Sequence, residues 1–178
     1  MGDSNSHPTH PVTVRRRYPD APLVGVATAV FNDVGQILLV KRGRPPGAGN
    51  WGLPGGLLDL GERLADGARR EVKEECAVEV ELVEMIATFE PIMLDEEGKI
   101  EYHYVVVDFW GHYLSGEATP DDDAIAVAWV HMDDLNGYYM ATDTKGVVLK
   151  AYDAWFRFQE NAFLRDSKQQ SPGNQHDQ

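Results

Sequence analysis

The stretch from Gly43 to Cys76 constrains this chain most: a segment crowded with Gly43, Pro45, Pro46, Gly47, Gly49, Pro54, Gly55 and Gly56 leads into a run of helical periodicity. The first part holds too many breakers for any regular element, and a loop that long inside a compact domain is usually functional. The second part, Arg63 to Cys76, repeats Leu64, Ala68 and Val72 every four residues with charges between them, the pattern of a helix with one buried face. At about 3.6 residues per turn, Glu71, Glu74 and Glu75 fall at i, i+3 and i+4, so three carboxylates share one face within a single turn. Like-charge pairs at this spacing cost an isolated helix about 0.2–0.5 kcal/mol each unless cations sit among them, and hard carboxylate oxygens suit Mg²⁺ or Mn²⁺. Taken alone, the string also reads as a solvated face on which Arg70 and Lys73 offset the charge.

The flanks set the fold class. Leu23–Phe31 and Gln36–Lys41 read as the arms of a hairpin around Asn32-Asp33-Val34-Gly35. Val78–Phe89 and Ile100–Tyr113 read as strands joined by the turn Asp95–Lys99, and Ile125–His131 as another. A long helix from about Thr144 to Phe163 carries Val148, Tyr152, Trp155, Phe156 and Phe163 as an apolar stripe suited to packing on a sheet. Strands on both sides of a helix, closed by a second helix, predict an α/β sandwich. The expected organisation is a flexible N-terminal segment over residues 1–20, one folded domain over 21–164 and a disordered polar tail over 165–178.

Composition removes several function classes. The net charge is −13, with 16 Lys+Arg against 29 Asp+Glu, so DNA and RNA polymers are not expected partners. With 43% hydrophobic and 10% aromatic residues there is ample material for a core. The single cysteine, Cys76, makes neither an internal disulfide nor a cysteine-rich zinc site, and beside acidic neighbours it reads as a small packing residue. No window is apolar enough to span a membrane and Met1–His10 lacks the apolar core of a signal peptide, so a cytoplasmic protein without membrane association is the expectation.

Gly56-Leu57-Leu58-Asp59-Leu60-Gly61-Glu62, then seven residues, then Arg70-Glu71-Val72-Lys73-Glu74-Glu75-Cys76-Ala77-Val78 resembles the signature of the Nudix hydrolase family. With each charged residue at about 6% and Gly at about 7%, the matches from Gly56 through Glu75 would arise by chance about once in 10⁸ windows. The likeness extends to the lead-in Trp51-Gly52-Leu53-Pro54-Gly55-Gly56 and the preceding hairpin, and more loosely to about Asp134. One position departs: Ala77 stands where the family has glycine. Glycine there often adopts the left-handed conformation that ends a helix, which costs an L-residue about 1–2 kcal/mol. Either this helix ends differently or the chain tolerates strain.

The resemblance implies a Nudix-type α/β/α sandwich with a central mixed β-sheet. It also implies hydrolysis of a nucleoside diphosphate linked to another moiety, with Mg²⁺ or Mn²⁺ as cofactor. Carried over by position, Glu71 and Glu75 are the principal metal ligands, Glu74 a further ligand or a partner just outside the coordination sphere, and the Gly55 carbonyl a backbone ligand; Glu62 and Arg70 support them. Either Glu71 or an acid of the later loop Asp121-Asp122-Asp123, with Asp122 and Asp123 the candidates, serves as general base. Arg42 and Arg44 are candidate phosphate contacts. Trp51 is assigned to the framework, and at most part of the Tyr102, His103, Tyr104 trio lines one pocket because strand neighbours face opposite ways. ADP-ribose is the expected substrate, split to AMP and ribose 5-phosphate. Nucleotide sugars and oxidised nucleoside triphosphates are the alternatives within the class, and a non-catalytic nucleotide-binding module the alternative outside it. A homodimer is left open.

Overall fold

The computed structural model describes residues 14–169. The strands are β1 (Leu23–Phe31), β2 (Ile37–Arg42), β3 (Trp51–Gly52) and β4 (Gly55–Leu57), followed by helix α1 (Leu64–Cys76). Next come β5 (Glu79–Phe89), β6 (Ile92–Leu94), β7 (Ile100–Ser115) and β8 (Ala124–Val130), a 3₁₀ turn (Met132–Gly137) and helix α2 (Thr142–Gln169). β1 lies parallel to β7 from Leu23↔Tyr104 to Phe31↔His112, while β2–β8 and β5–β7 are antiparallel, which makes the sheet mixed.

Period-two alternation distributes the core to both faces of this sheet. Ala29, Phe31, Ile37 and Leu39 pack with Trp110 and with Val147, Val148 and Ala151 of α2. Their neighbours Val30, Leu38 and Val40 pack with Val72, Cys76 and Val78 at the α1 side. A strand buried on both faces must be apolar at successive positions, as β1 and β2 are, and the result is the expected α/β/α sandwich.

Several local expectations change. The hairpin turn forms, with the Asn32 carboxamide oxygen accepting from the Val34 and Gln36 amides. Its arms, however, share only the Phe31↔Ile37 pair before diverging, because β4 takes the adjoining edge of β1 through Gly25↔Leu57, Val26↔Gly56 and Ala27↔Gly55. The breaker-rich segment therefore contains two short strands. A Cβ on Gly55 would lie 2.7 Å from the Ala27 Cα, so glycine here permits strand approach rather than preventing it.

α1 begins one residue after Arg63, its N-cap, and Ala77 at its C-cap adopts φ 58°, ψ 23°. The left-handed end is thus kept without glycine. α2 extends beyond Thr144–Phe163 at both ends, and its last turns run through residues 165–169 of the expected disordered tail. Tyr152 and Trp155 pack on Phe31, at ring-centroid distances of 6.1 and 5.7 Å. Phe156 leaves the stripe at 50% exposure because it faces away from the sheet, and the Phe163 side chain lies outside the described residues. The described part of the expected flexible segment is tied down: the Tyr18 amide donates to the Glu101 carbonyl (2.7 Å), Arg17 to the Glu101 carboxylate (2.7 Å), and the Tyr18 hydroxyl to Asp95 (2.9 Å). Residues 1–13 and 170–178 lie outside the described residues.

Candidate active site

α1 presents its acids on the face that abuts β4. Glu71 and Glu75 are 8% and 5% exposed, whereas Glu74, part of the same turn, faces solvent. The Gly55 amide donates to Glu75 Oε2 at 2.9 Å. Gly56 leaves room for the Glu71 carboxylate, since a Cβ there would fall 2.5 Å from Glu71 Cδ. Glycine at both positions lets a backbone edge lie directly against two buried acids.

Arg70 organises this cluster. Its Nε and Nη2 donate to the two Glu62 oxygens, each at 2.9 Å, and Nη1 donates to Glu71 (2.8 Å) and Glu74 (2.9 Å). Nη2 also reaches the Leu57 carbonyl at 3.1 Å, joining the helix to β4. A planar fork with five donors suits this work, which an ammonium would do poorly. The bidentate contact holds the Glu62 carboxyl down at about 2. Burial raises the Glu71 carboxyl against the opposing effect of Arg70, with Glu74 and Asp122 adding to the rise. Glu75 is pushed up to about 7, chiefly by burial; the Gly55 amide and the charge of Arg42 oppose this, while Glu71 and Asp123 reinforce it.

The structure therefore brings Glu62, Arg70, Glu71, Glu74, Glu75 and Gly55 together. Gly55 contributes an observed N–H to Glu75; the carbonyl role is a separate matter. Arg42 lines the same cavity as Gly55 and Gly56, but Arg44 is not part of its lining and is 67% exposed, 2.7 Å from Asp123. Two residues expected to act separately on substrate, Arg44 and Asp123, are thus paired with each other. Asp122, at φ 48°, and Asp123 lie close enough to bias Glu71 and Glu75 electrostatically. Trp51 packs edge-on against Tyr138 at 4.9 Å, a framework contact, while also lining the cavity. Tyr102 and Tyr104 stack on one strand face, and Tyr104 reaches the cavity. Cys76 is buried with its thiol raised to about 12, consistent with a packing role.

Among the described residues no three acidic, histidine or cysteine side chains converge as a ready cation cage. The donor chemistry nevertheless fits a hard divalent cation: the groups are all oxygens, and buried Glu75 has no cationic side chain within ion-pair distance among the described residues.

The cavity beside this cluster, about 310 Å³, runs from Gly55, Gly56 and Arg42 between the sheet and the start of α2 to Asp108 of β7. Asp108 was not legible as a site residue. Its one signal is an acid within the otherwise apolar run Val105-Val106-Val107-Asp108-Phe109-Trp110.

The NUDIX domain family model matches residues 21–167, and the chain belongs to the Nudix hydrolase family, enzymes that cleave acid anhydrides. Members of this family generally use a divalent metal. Among its relatives is the ADP-ribose pyrophosphatase of Methanocaldococcus jannaschii, 28% identical over 134 residues that span 75% of each chain. The NUDIX domain of Shewanella oneidensis NrtR, solved with ADP ribose, superposes with a TM-score of 0.64 at 26% identity, covering 76% of this chain and 89% of that one. A MutT NUDIX hydrolase from Burkholderia pseudomallei superposes equally well, at TM-score 0.64 and 32% identity, covering 74% and 98%. Coverage of longer relatives is partial: a Caenorhabditis elegans protein is 28% identical over 116 residues, 62% of this chain and 29% of that one. Among the described residues no helix is long and apolar enough to cross a membrane.

Proposed function

We propose that this enzyme hydrolyses the pyrophosphate bond of ADP-ribose, releasing AMP and ribose 5-phosphate, with Mg²⁺ or Mn²⁺ as cofactor. The observation that carries the reading is the pair of buried acids, Glu71 and Glu75, one turn apart and seated against the glycine edge of β4, whose Gly55 and Gly56 line the cavity. The relatives described for ADP-ribose support the substrate. Glu71 and Glu75 would hold the cation, with Glu74 and the Gly55 carbonyl completing its oxygen donors. When bound, a divalent cation neutralises diphosphate oxygens and lowers the pKa of water. Arg70 fixes the acids in position through Glu62, Glu71 and Glu74, so that little reorganisation is left for the moment of reaction. Arg42, on the cavity wall, would face the substrate's phosphates, and Asp122 or Asp123, which act electrostatically on Glu71 and Glu75, would be the loop base.

The test is incubation with Mg²⁺ or Mn²⁺ and a panel of ADP-ribose, nucleotide sugars, dinucleotides and nucleoside triphosphates, with products resolved by chromatography. ADP-ribose is expected to give AMP and ribose 5-phosphate, and Glu75→Gln to lower the rate at least about a hundredfold. Failure to turn over any panel member with either cation would refute the reaction and favour a non-catalytic binding module.

A further inference from the structure

Asp108 lines the same cavity as the β4 glycines that abut the glutamates, from strand β7 on the far side of β1. It is 1% exposed, and its Oδ2 has no hydrogen-bond partner among the described residues. An unpartnered buried carboxyl is costly, so its retention points to a partner that arrives with a ligand. The sheet register fixes its position. Gly55 pairs with Ala27 and Ala27 with Asp108, so the three form one row across β4, β1 and β7. Two strand spacings separate Gly55 from Asp108, about 10 Å. That matches the reach from a nucleotide's phosphates to the far edge of its base. The walls between are apolar or aromatic, with Ala27, Leu53, Phe89, Val106 and Val147, as a flat heterocycle requires.

We propose that Asp108 determines base specificity, its carboxyl oxygen accepting an N–H from the amino group of the substrate's purine. The inference rests on the pyrophosphatase reading for the location of the diphosphate, at Gly55 and Gly56. Burial holds the Asp108 carboxyl up at about 7, only partly opposed by the charge of Lys150. Both protonation states offer an oxygen acceptor, and the neutral acid adds an O–H that complements the unprotonated ring N1 of adenine. Polar groups built to meet a substrate's N–H reject analogues that lack it far more strongly than apolar walls reject a missing methylene.

The test is calorimetric binding, in Mg²⁺, of AMP and of purine riboside 5′-monophosphate, the same nucleotide without the 6-amino group. The wild type is expected to bind AMP at least about tenfold more tightly. Asp108→Leu, which exchanges the carboxyl for an apolar group of similar size, is expected to bring the ratio close to one, and Asp108→Asn, which keeps an oxygen acceptor, to preserve a preference for AMP. Equal binding of the two nucleotides by the wild type overturns the proposal whether or not any variant folds, as does an unchanged ratio in a folded Asp108→Leu protein. Because the readout is binding, failure to cleave ADP-ribose would refute the proposed reaction alone, and loss of amino-group preference would refute this assignment alone.

Discussion

Replacing Ala77 by glycine should stabilise this protein. Ala77 holds φ 58°, ψ 23° at the end of α1, where its amide donates to the Lys73 carbonyl at 2.9 Å. The left-handed region costs an L-residue about 1–2 kcal/mol through contact between Cβ and backbone. Its methyl group is exposed, so removing it sacrifices no packing, and the helix-ending hydrogen bond stays in place. Glycine returns about 0.4–1 kcal/mol of this through the greater freedom of its unfolded chain. The net gain expected for Ala77→Gly is about 0.5–1 kcal/mol, or a rise in Tm of roughly 1–4 °C for a chain of this size. Urea unfolding of the metal-free protein measures it, with the midpoint moving and the m-value constant. Ala77→Val is the opposing control: a β-branched residue is least tolerant of positive φ and should lower stability by at least about 1 kcal/mol. Metal-dependent hydrolysis should be unaffected by Ala77→Gly, since the acids lie upstream. A destabilised glycine variant, or a valine variant as stable as the wild type, would show that residue 77 is not held in the left-handed region.

Other perturbations address the acids directly. Gly56→Ala places a methyl group where the Glu71 carboxylate now sits and should lower kcat at least about a hundredfold while the protein still folds, measured by steady-state hydrolysis beside circular dichroism. Arg70→Lys keeps the charge but not the fork joining Glu62, Glu71 and Glu74; a loss of about 10–100-fold in metal affinity or activity is expected, and a neutral result would contradict the positioning role. For Asp108, raised from the usual carboxylate range to about 7, folding favours the protonated form: the stabilisation is complete below pH about 4 and disappears as pH rises through 7. Raising the pH from 5.5 to 8 should therefore cost the metal-free protein about 2 kcal/mol through this group alone. Urea titrations of wild type and Asp108→Asn should differ in pH dependence by about that amount. Glu75 acts in the same direction in both proteins, so it cancels from the comparison.

The parts legible in the sequence were those governed by local spacing. The i, i+3, i+4 placement of Glu71, Glu74 and Glu75 follows from helix geometry, and the double-sided burial of β1 follows from its unbroken apolar run. What was not legible depended on partners distant in sequence. Whether Gln36–Lys41 stays with β1 or leaves it is decided by competition with β4, whose pairing residues are glycines that carry no strand propensity. The separation of Arg42 from Arg44 arises from Asp123, some eighty residues later, which captures one and leaves the other on the cavity wall. Asp108 was hidden because an isolated acid in a strand takes its meaning from the space opposite, and that space is formed by α2 and the Trp51–Leu53 segment. The continuation of α2 through residues 165–169 was hidden for another reason: polar residues read as a tail unless the preceding helix carries them on.

The glycines that most constrained the sequence serve two surfaces at once. Successive residues of a strand face opposite sides, so Gly55 and Gly56 cannot both address the same neighbour. Gly55 abuts Ala27, in the row that crosses to Asp108, while Gly56 gives its space to Glu71 beneath α1. A side chain at the first would force β4 away from β1, and a side chain at the second would expel an acid from the cluster. The Gly55 amide joins the two sides by donating to Glu75. β4 is thus the wall shared by the acidic helix and the cavity, and in the proposed reaction the absence of side chains there would let a cation on α1 meet a diphosphate in the cavity. Breaker residues that look hostile to regular structure are therefore a physical requirement of a short strand serving as that wall.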